Sequence, residues 1–169
     1  MAPRKITAKV VERARRVKLL LLDCDGVLTD GRLYYGPEGE VLKVFHVRDG
    51  QGLVNWHSSG FRSGIISGRN SPSVKVRARE LGIEFVFQGR KEKVSALRDL
   101  VSISGVENDE VAYVGDDSPD ADVFPFVGFA AAVADAHPSA RDKAHFVTKA
   151  NGGFGAVREV IDLLLDAKK

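Results

Sequence analysis

The chain has 169 residues, with 25 Lys or Arg against 23 Asp or Glu, a formal charge of +2, and 44% of it is hydrophobic. This balance excludes a disordered or collagen-like chain and lacks the dense basic signature of a dedicated nucleic-acid binder. One cysteine, Cys24, rules out an intrachain disulfide and a cysteine-rich zinc site; no apolar run nears the roughly 20 residues that span a bilayer, so a cytoplasmic protein without membrane or nucleic-acid partners is expected.

Residues 5–16 are rich in Lys and Arg, with Val10, Val11 and Ala14 at helical spacing. The basic stretch from Arg4 to Lys18 contains one acidic residue, Glu12, and no interleaved aromatic to stack on bases, so it reads as a solvated helix face. Val17 to Leu22 is a short apolar run that ends in acidic residues, as a buried parallel strand would. Arg32–Tyr35 and Val41–Val47 flank the turn Gly36-Pro37-Glu38-Gly39 and predict a β-hairpin over about 31–47. Past Asp49-Gly50 the period changes. Helices at about 51–59, 72–81, 92–103, 119–124 and 155–167 alternate with strands at about 62–67, 84–88, 110–115 and 128–133. That alternation predicts an α/β fold, a doubly wound, Rossmann-like parallel sheet with a protruding hairpin, within one domain over 1–169 that ends in a tail over about 151–169.

Ligands of such sheets bind outside the carboxyl ends of the strands, and the polar residues fall there. The first strand runs into Asp23-Cys24-Asp25-Gly26, the second into Ser67-Gly68-Arg69, a later one into Gly115-Asp116-Asp117-Ser118-Pro119-Asp120, and Lys93 opens a helix. Residues two apart in an extended chain share a side, so the Asp23 and Asp25 carboxylates sit together while Cys24 points into the core. Clustered carboxylates need a cation, and an all-oxygen set suits Mg²⁺. One Asp can then attack a phosphate ester as nucleophile and another serve as acid and base, with Lys93, the Ser67 hydroxyl and the backbone near Gly68 stabilising the phosphoryl oxygens. No Walker-type loop is present, which argues against a P-loop enzyme.

The segments Asp23-Cys24-Asp25-Gly26-Val27-Leu28-Thr29-Asp30, Ile66-Ser67-Gly68-Arg69, Lys93 and Gly115 to Asp120 resemble, in order and spacing, the four motifs of the haloacid dehalogenase superfamily of phosphohydrolases. Val47-Arg48-Asp49-Gly50, Val133 to Pro138 and Gly152 to Glu159 are similar, more narrowly, to the 3-deoxy-D-manno-octulosonate 8-phosphate (KDO 8-phosphate) phosphatases, and the likeness runs from Val17 to Leu165. The resemblance implies a Mg²⁺-dependent phosphomonoesterase without a large cap domain, a homotetramer built through its hairpins, serving lipopolysaccharide biosynthesis. It implies Asp23 as nucleophile and metal ligand, Asp25 as acid/base whose backbone carbonyl also meets the metal, and Asp116 as the remaining metal carboxylate. Asp117 and Asp120 would support the metal. Ser67, Gly68 and Lys93 would bind phosphate; Asp25, His46, Val47, Arg48, Asp49, Gly50, Arg69 and Arg77 would contact the sugar phosphate, and Arg158 would lie in a glycine-rich tail that approaches a neighbouring site. His46 stands where family members commonly carry Asn, and Phe154 where many carry Arg, so a nine-carbon ulosonic acid phosphate stands beside KDO 8-phosphate as substrate. A non-catalytic module that senses a phosphorylated metabolite is the reading from another class, and the intact acidic motifs count against it.

Other residues read as structural. Cys24 is expected to pack in the core, His57, His137 and His145 show no ligand spacing, Lys91 belongs to a solvated helix face, and Asp117 could cap the helix that follows it.

Overall fold

A computed structural model describes residues 6–169, so Arg4 and Lys5 of the basic stretch lie outside the described residues. Six parallel strands form the main sheet: β1 (Leu19–Leu22), β4 (Arg62–Ile66), β5 (Phe85–Phe87), β6 (Val111–Gly115), β7 (Phe129–Ala132) and β8 (Phe146–Val147). A separate antiparallel pair, β2 (Tyr34–Gly36) and β3 (Gly39–Leu42), makes the hairpin. The main sheet runs in the order β5-β4-β1-β6-β7-β8. From β1 the chain winds one way through β4 and β5, then returns to the other side of β1 for β6, β7 and β8. The reversal falls between β1 and β6, where an open α/β sheet leaves its crevice.

Sequence accounts for this arrangement. All four leucines of β1 are buried, as a central strand covered on both faces requires. Helices α1 (Ala8–Arg16), α2 (Val47–Ser58), α3 (Pro72–Leu81), α4 (Lys93–Ser104), α5 (Ser118–Ala121), α6 (Pro138–Lys143) and α7 (Ala156–Asp166) connect or cover the strands. Thr7 caps α1 by accepting the Val10 N–H, and Gly82 and Gly105, both left-handed, end α3 and α4.

The hairpin region and two short elements differ from the sequence reading. The hairpin is shorter than 31–47, and α2 begins at Val47 where a strand was expected. Val44-Phe45-His46-Val47 has the β-branched and aromatic composition of a strand, but His46 turns the chain by accepting the Arg48 N–H at Nδ1 (3.1 Å) and so caps α2. Helix α6 and strand β8 were missed, being six and two residues long and too short to show a period. The helix expected at about 155–167 forms as α7 within the tail over 151–169, and its Val157, Val160, Ile161 and Leu164 are fully buried against the body of the protein.

Two histidines tie stability to pH. The His57 ring bridges the Leu81 carbonyl (Nδ1, 3.0 Å) and the Ser63 hydroxyl (Nε2, 2.7 Å), and His145 Nδ1 accepts the Ala130 N–H at 2.9 Å. Burial pushes both below the ordinary histidine value of 6.5. A depressed folded-state pKa means the unfolded chain binds more protons in this window, so the contribution is full above 6.5 and is lost as pH falls through the folded values. In saturating Mg²⁺, the melting temperature is expected to fall on acidification through this window, and the double variant His57→Gln, His145→Asn to show a flatter slope. Equal slopes would remove the histidines as the cause.

Candidate active site

Strands β1 and β6 pair with Leu22 opposite Val114, and the Asp23 N–H extends the ladder by donating to the Val114 carbonyl at 3.0 Å. Asp23 therefore stands one residue past β1 and Asp116 one residue past β6, on adjacent strands at the switch point. On the other side Leu22 pairs with Ile65, which carries Ser67, just past β4, to the same end of the sheet. Lys93 is the first residue of α4 and is buried with its ammonium turned inward.

Asp23, Asp116 and Asp120 each offer a carboxylate oxygen within 4.8 Å of the other two. Lys93 Nζ lies 2.8 Å from Asp23 Oδ1 and donates to Asp120 Oδ1 at 2.6 Å. Burial opposes the Lys93 charge, but the two carboxylates outweigh it and hold the ammonium above its ordinary value. One ammonium does not neutralise three carboxylates. Burial, with repulsion from Asp120 for Asp23 and from Asp23 for Asp116, pushes the Asp23 and Asp116 carboxyls well above the usual carboxylate range. A compact, under-neutralised, all-oxygen set fits a hard divalent cation such as Mg²⁺.

Within the set, Asp120 has its directions filled. Oδ1 accepts from Lys93 and from the Tyr113 hydroxyl (2.8 Å), while Oδ2 accepts the N–H groups of Asp116 (3.1 Å) and Asp117 (3.2 Å). It shapes the loop and steers Lys93, which leaves Asp23 and Asp116 as the more open oxygens. Asp117 is exposed and caps α5 through the Ser118 N–H at 2.7 Å, as its sequence position also allowed.

After Asp23 the chain turns tightly, with the Cys24 carbonyl accepting from Val27, Leu28 and Thr29. Cys24 is fully buried, its thiol pushed up by burial and by the nearby Asp25 carboxylate. Gly26 has φ +92°, and a Cβ there would fall on the Asp116 carboxylate, so the turn admits only glycine while Asp116 keeps its place.

Asp25 does not join the Asp23–Asp116–Asp120 set. Its Oδ1 is paired with the Lys43 ammonium, and Arg69 Nε lies 3.9 Å from Oδ2. Lys43 also sits 3.2 Å from Glu40 Oε2. Burial works against its charge, yet Asp25 and Glu40 hold the ammonium above its ordinary value. Glu40 accepts from the Ser71 hydroxyl (2.8 Å) and from Arg69 (3.3 Å), whose guanidinium also donates to the Tyr35 hydroxyl at 2.7 Å. The sequence reading missed Glu40, Lys43, Ser71 and Tyr113. The first two are three apart, which in a regular strand points them to opposite faces. The hairpin, however, sets Tyr34 against Leu42 and Tyr35 against Glu40, so Val41 is an extra residue that resets the alternation. A strand-borne Glu-x-x-Lys was the only available signal.

The remaining expected residues divide. Ser67 is buried and its Oγ accepts the Arg69 N–H at 3.3 Å, beside the half-buried Gly68. Val47 and Arg48 are exposed on the first turn of α2. The Asp49 carboxylate accepts the N–H groups of Gly155 (3.2 Å) and Arg158 (2.8 Å) and so anchors the start of α7, while the residue lines a cleft with His46 and Arg77. Gly50 lies under the Arg77 guanidinium, which pairs with Glu80 at 2.9 Å and shares an apolar cleft with His46, Phe45 and Val74. Arg158 pairs with Asp162 at 2.7 Å along α7, whereas Phe154 is exposed. The glycine-rich segment packs on this chain's own loop: Gly153 donates to the Val27 carbonyl at 3.0 Å, and a Cβ on Gly152 would strike the Gly26 carbonyl.

The haloacid dehalogenase-like hydrolase family matches residues 76–161. The 3-deoxy-D-manno-octulosonate 8-phosphate phosphatase of Escherichia coli strain K12 is 46% identical over 163 residues, 96% of this chain and 87% of that protein. The crystal structure of the same phosphatase from Yersinia pestis superposes with a TM-score of 0.93 at 45% identity, covering 95% of this chain and 87% of that one. The Moraxella catarrhalis phosphatase, crystallised with a magnesium ion, a phosphate ion and a KDO molecule, gives a TM-score of 0.92 at 40% identity, over 95% of this chain and 92% of that one.

Proposed function

The chain belongs to the haloacid dehalogenase-like hydrolase family, and from that premise we propose that it is a Mg²⁺-dependent phosphatase that converts KDO 8-phosphate to KDO and inorganic phosphate. The observation that carries this reading is the buried set of Asp23, Asp116 and Asp120 around Lys93 at the switch point of the sheet. Asp23 and Asp116, with the Asp25 backbone carbonyl, would hold the metal, with Asp117 and Asp120 as support. When bound, Mg²⁺ supplies the positive charge that offsets the carboxylates and the phosphoryl oxygens.

In this reading an Asp23 oxygen attacks phosphorus, the bond from phosphorus to the sugar oxygen breaks, and an aspartyl-phosphate forms. Asp25 gives a proton to the departing sugar oxygen. It then takes one from the water that attacks the aspartyl-phosphate, which frees phosphate and restores Asp23. Ser67, the Gly68 backbone and Lys93 stabilise the equatorial phosphoryl oxygens. His46, Val47, Arg48, Asp49, Gly50, Arg69 and Arg77 meet the sugar acid, the Asp49 carboxylate also anchoring α7. The exposed Leu33, Tyr35, Val41, Leu42 and Val44 along the hairpin support assembly through that element, and we assign a homotetramer with sites near its interfaces. No described helix is long and apolar enough to cross a membrane, in keeping with a cytoplasmic enzyme of lipopolysaccharide biosynthesis.

The test is phosphate release from KDO 8-phosphate and from a nine-carbon ulosonic acid 9-phosphate, each with Mg²⁺ and with a chelator. Mg²⁺-dependent release from the eight-carbon ester is expected. Release from the nine-carbon ester alone would move the substrate assignment, and inertness toward both would leave a phosphometabolite-binding module.

A further inference from the structure

We propose that Lys43 and Glu40 are positioning residues for the proton-transfer step: borne on the hairpin, and acting with Arg69, they fix the Asp25 carboxylate at the mouth of the crevice. The inference rests on the reading of Asp25 as the acid/base.

A lysine on a small surface hairpin ordinarily extends into water, because burying its charge is costly unless the charge is paired. The Lys43 side chain is only 2% exposed, with its ammonium set between Asp25 Oδ1 and Glu40 Oε2. Glu40 is fixed in turn, one oxygen accepting from Ser71 and the other from Arg69. Arg69 Nε is buried with no hydrogen-bond partner among the described residues and is directed toward Asp25 Oδ2. Asp25 is thus approached from two sides by cations that Glu40 ties to each other. The four groups, two carboxylates and two cations, balance among themselves, and among the described residues no ion pair links them to Asp23, Asp116 or Asp120. The network is therefore independent of whatever neutralises the deeper set. Removing Lys43 would leave Asp25 only the 3.9 Å approach of Arg69, and a reacting group released by even about 1 Å can cost on the order of 10²-fold in rate.

The leaving group reveals which step is affected. The sugar alkoxide of KDO 8-phosphate needs a proton as it departs, whereas 4-nitrophenolate does not. Single-turnover cleavage of KDO 8-phosphate and of 4-nitrophenyl phosphate in Mg²⁺ should therefore diverge. In Lys43→Met the sugar ester is expected to slow roughly 10²-fold with its half-saturating concentration nearly unchanged, while nitrophenolate release stays within a few-fold of wild type. Lys43→Arg should recover most of the lost rate, and Glu40→Gln should slow the sugar ester in the same selective way. Thermal melts identify folded variants; if Lys43→Met does not fold, the other two carry the comparison. Equal slowing of both esters, or no slowing, overturns the proposal. Asp25→Asn separates the two layers: if it ignores the leaving group, the acid/base reading falls and takes this inference with it. If it discriminates while the Lys43 and Glu40 variants do not, only the positioning role falls. Wild-type inertness toward both esters overturns both together.

Discussion

Asp23→Asn is expected to lower kcat by roughly 10⁴-fold or more while leaving the metal-free protein at least as stable as wild type. The two halves of this result have separate causes. Asparagine keeps the shape of the side chain and can still meet the Lys93 ammonium, but it cannot form an aspartyl-phosphate. It also removes one of three crowded carboxylates, whose charged form burial and Asp120 already disfavour, and Lys93 keeps its 2.6 Å contact with Asp120. Steady-state phosphate release and thermal melting in a chelator check both halves. A variant with near-normal kcat would sink the covalent mechanism; a large drop in melting temperature would mean that Asp23 holds the sheet end together more than its crowding strains it.

Ending the chain at Phe154 is expected to abolish cooperative folding, not merely slow catalysis. The removed segment contributes Val157, Val160, Ile161 and Leu164, each fully buried. At about 1.5–3 kcal/mol for each buried aliphatic side chain, their loss is on the order of 6–12 kcal/mol, the scale of a whole domain's stability of about 5–15 kcal/mol. The cut also leaves the buried Asp49 carboxylate without the Gly155 and Arg158 N–H donors. Circular dichroism melts of the truncated chain report the outcome. A cooperative transition close to that of the full chain would show that α7 is an accessory to the fold.

Legibility followed the range of the interactions. The strand-end motifs could be read because a parallel sheet concentrates its ligand groups at one edge, and Asp23, Ser67, Lys93 and Asp116 each sit at an element boundary that a local pattern marks. The hairpin's inner face could not, because a single extra residue at Val41 inverts the alternation on which strand reading depends. The anchoring role of Asp49 was hidden for a different reason. Its neighbours look like a loop that meets substrate, but its partners are backbone groups more than a hundred residues away, at the start of α7. The packing of the glycine-rich segment was hidden by the same route: Gly152 and Gly153 are small so that the backbone can press against Gly26 and Thr29, far away in sequence.

That contact has a consequence for the order in which the protein is made. The loop carrying Asp25 and Gly26 is translated well before Gly152 and Gly153, which supply the surface against which it packs, and the helix that anchors that surface follows them in turn. A nascent chain that already contains every proposed catalytic group still lacks the backing of its first motif. Catalytic competence thus waits for α7, and termination between Asp120 and α7 yields a chain with its acidic motifs intact and no settled place to hold them.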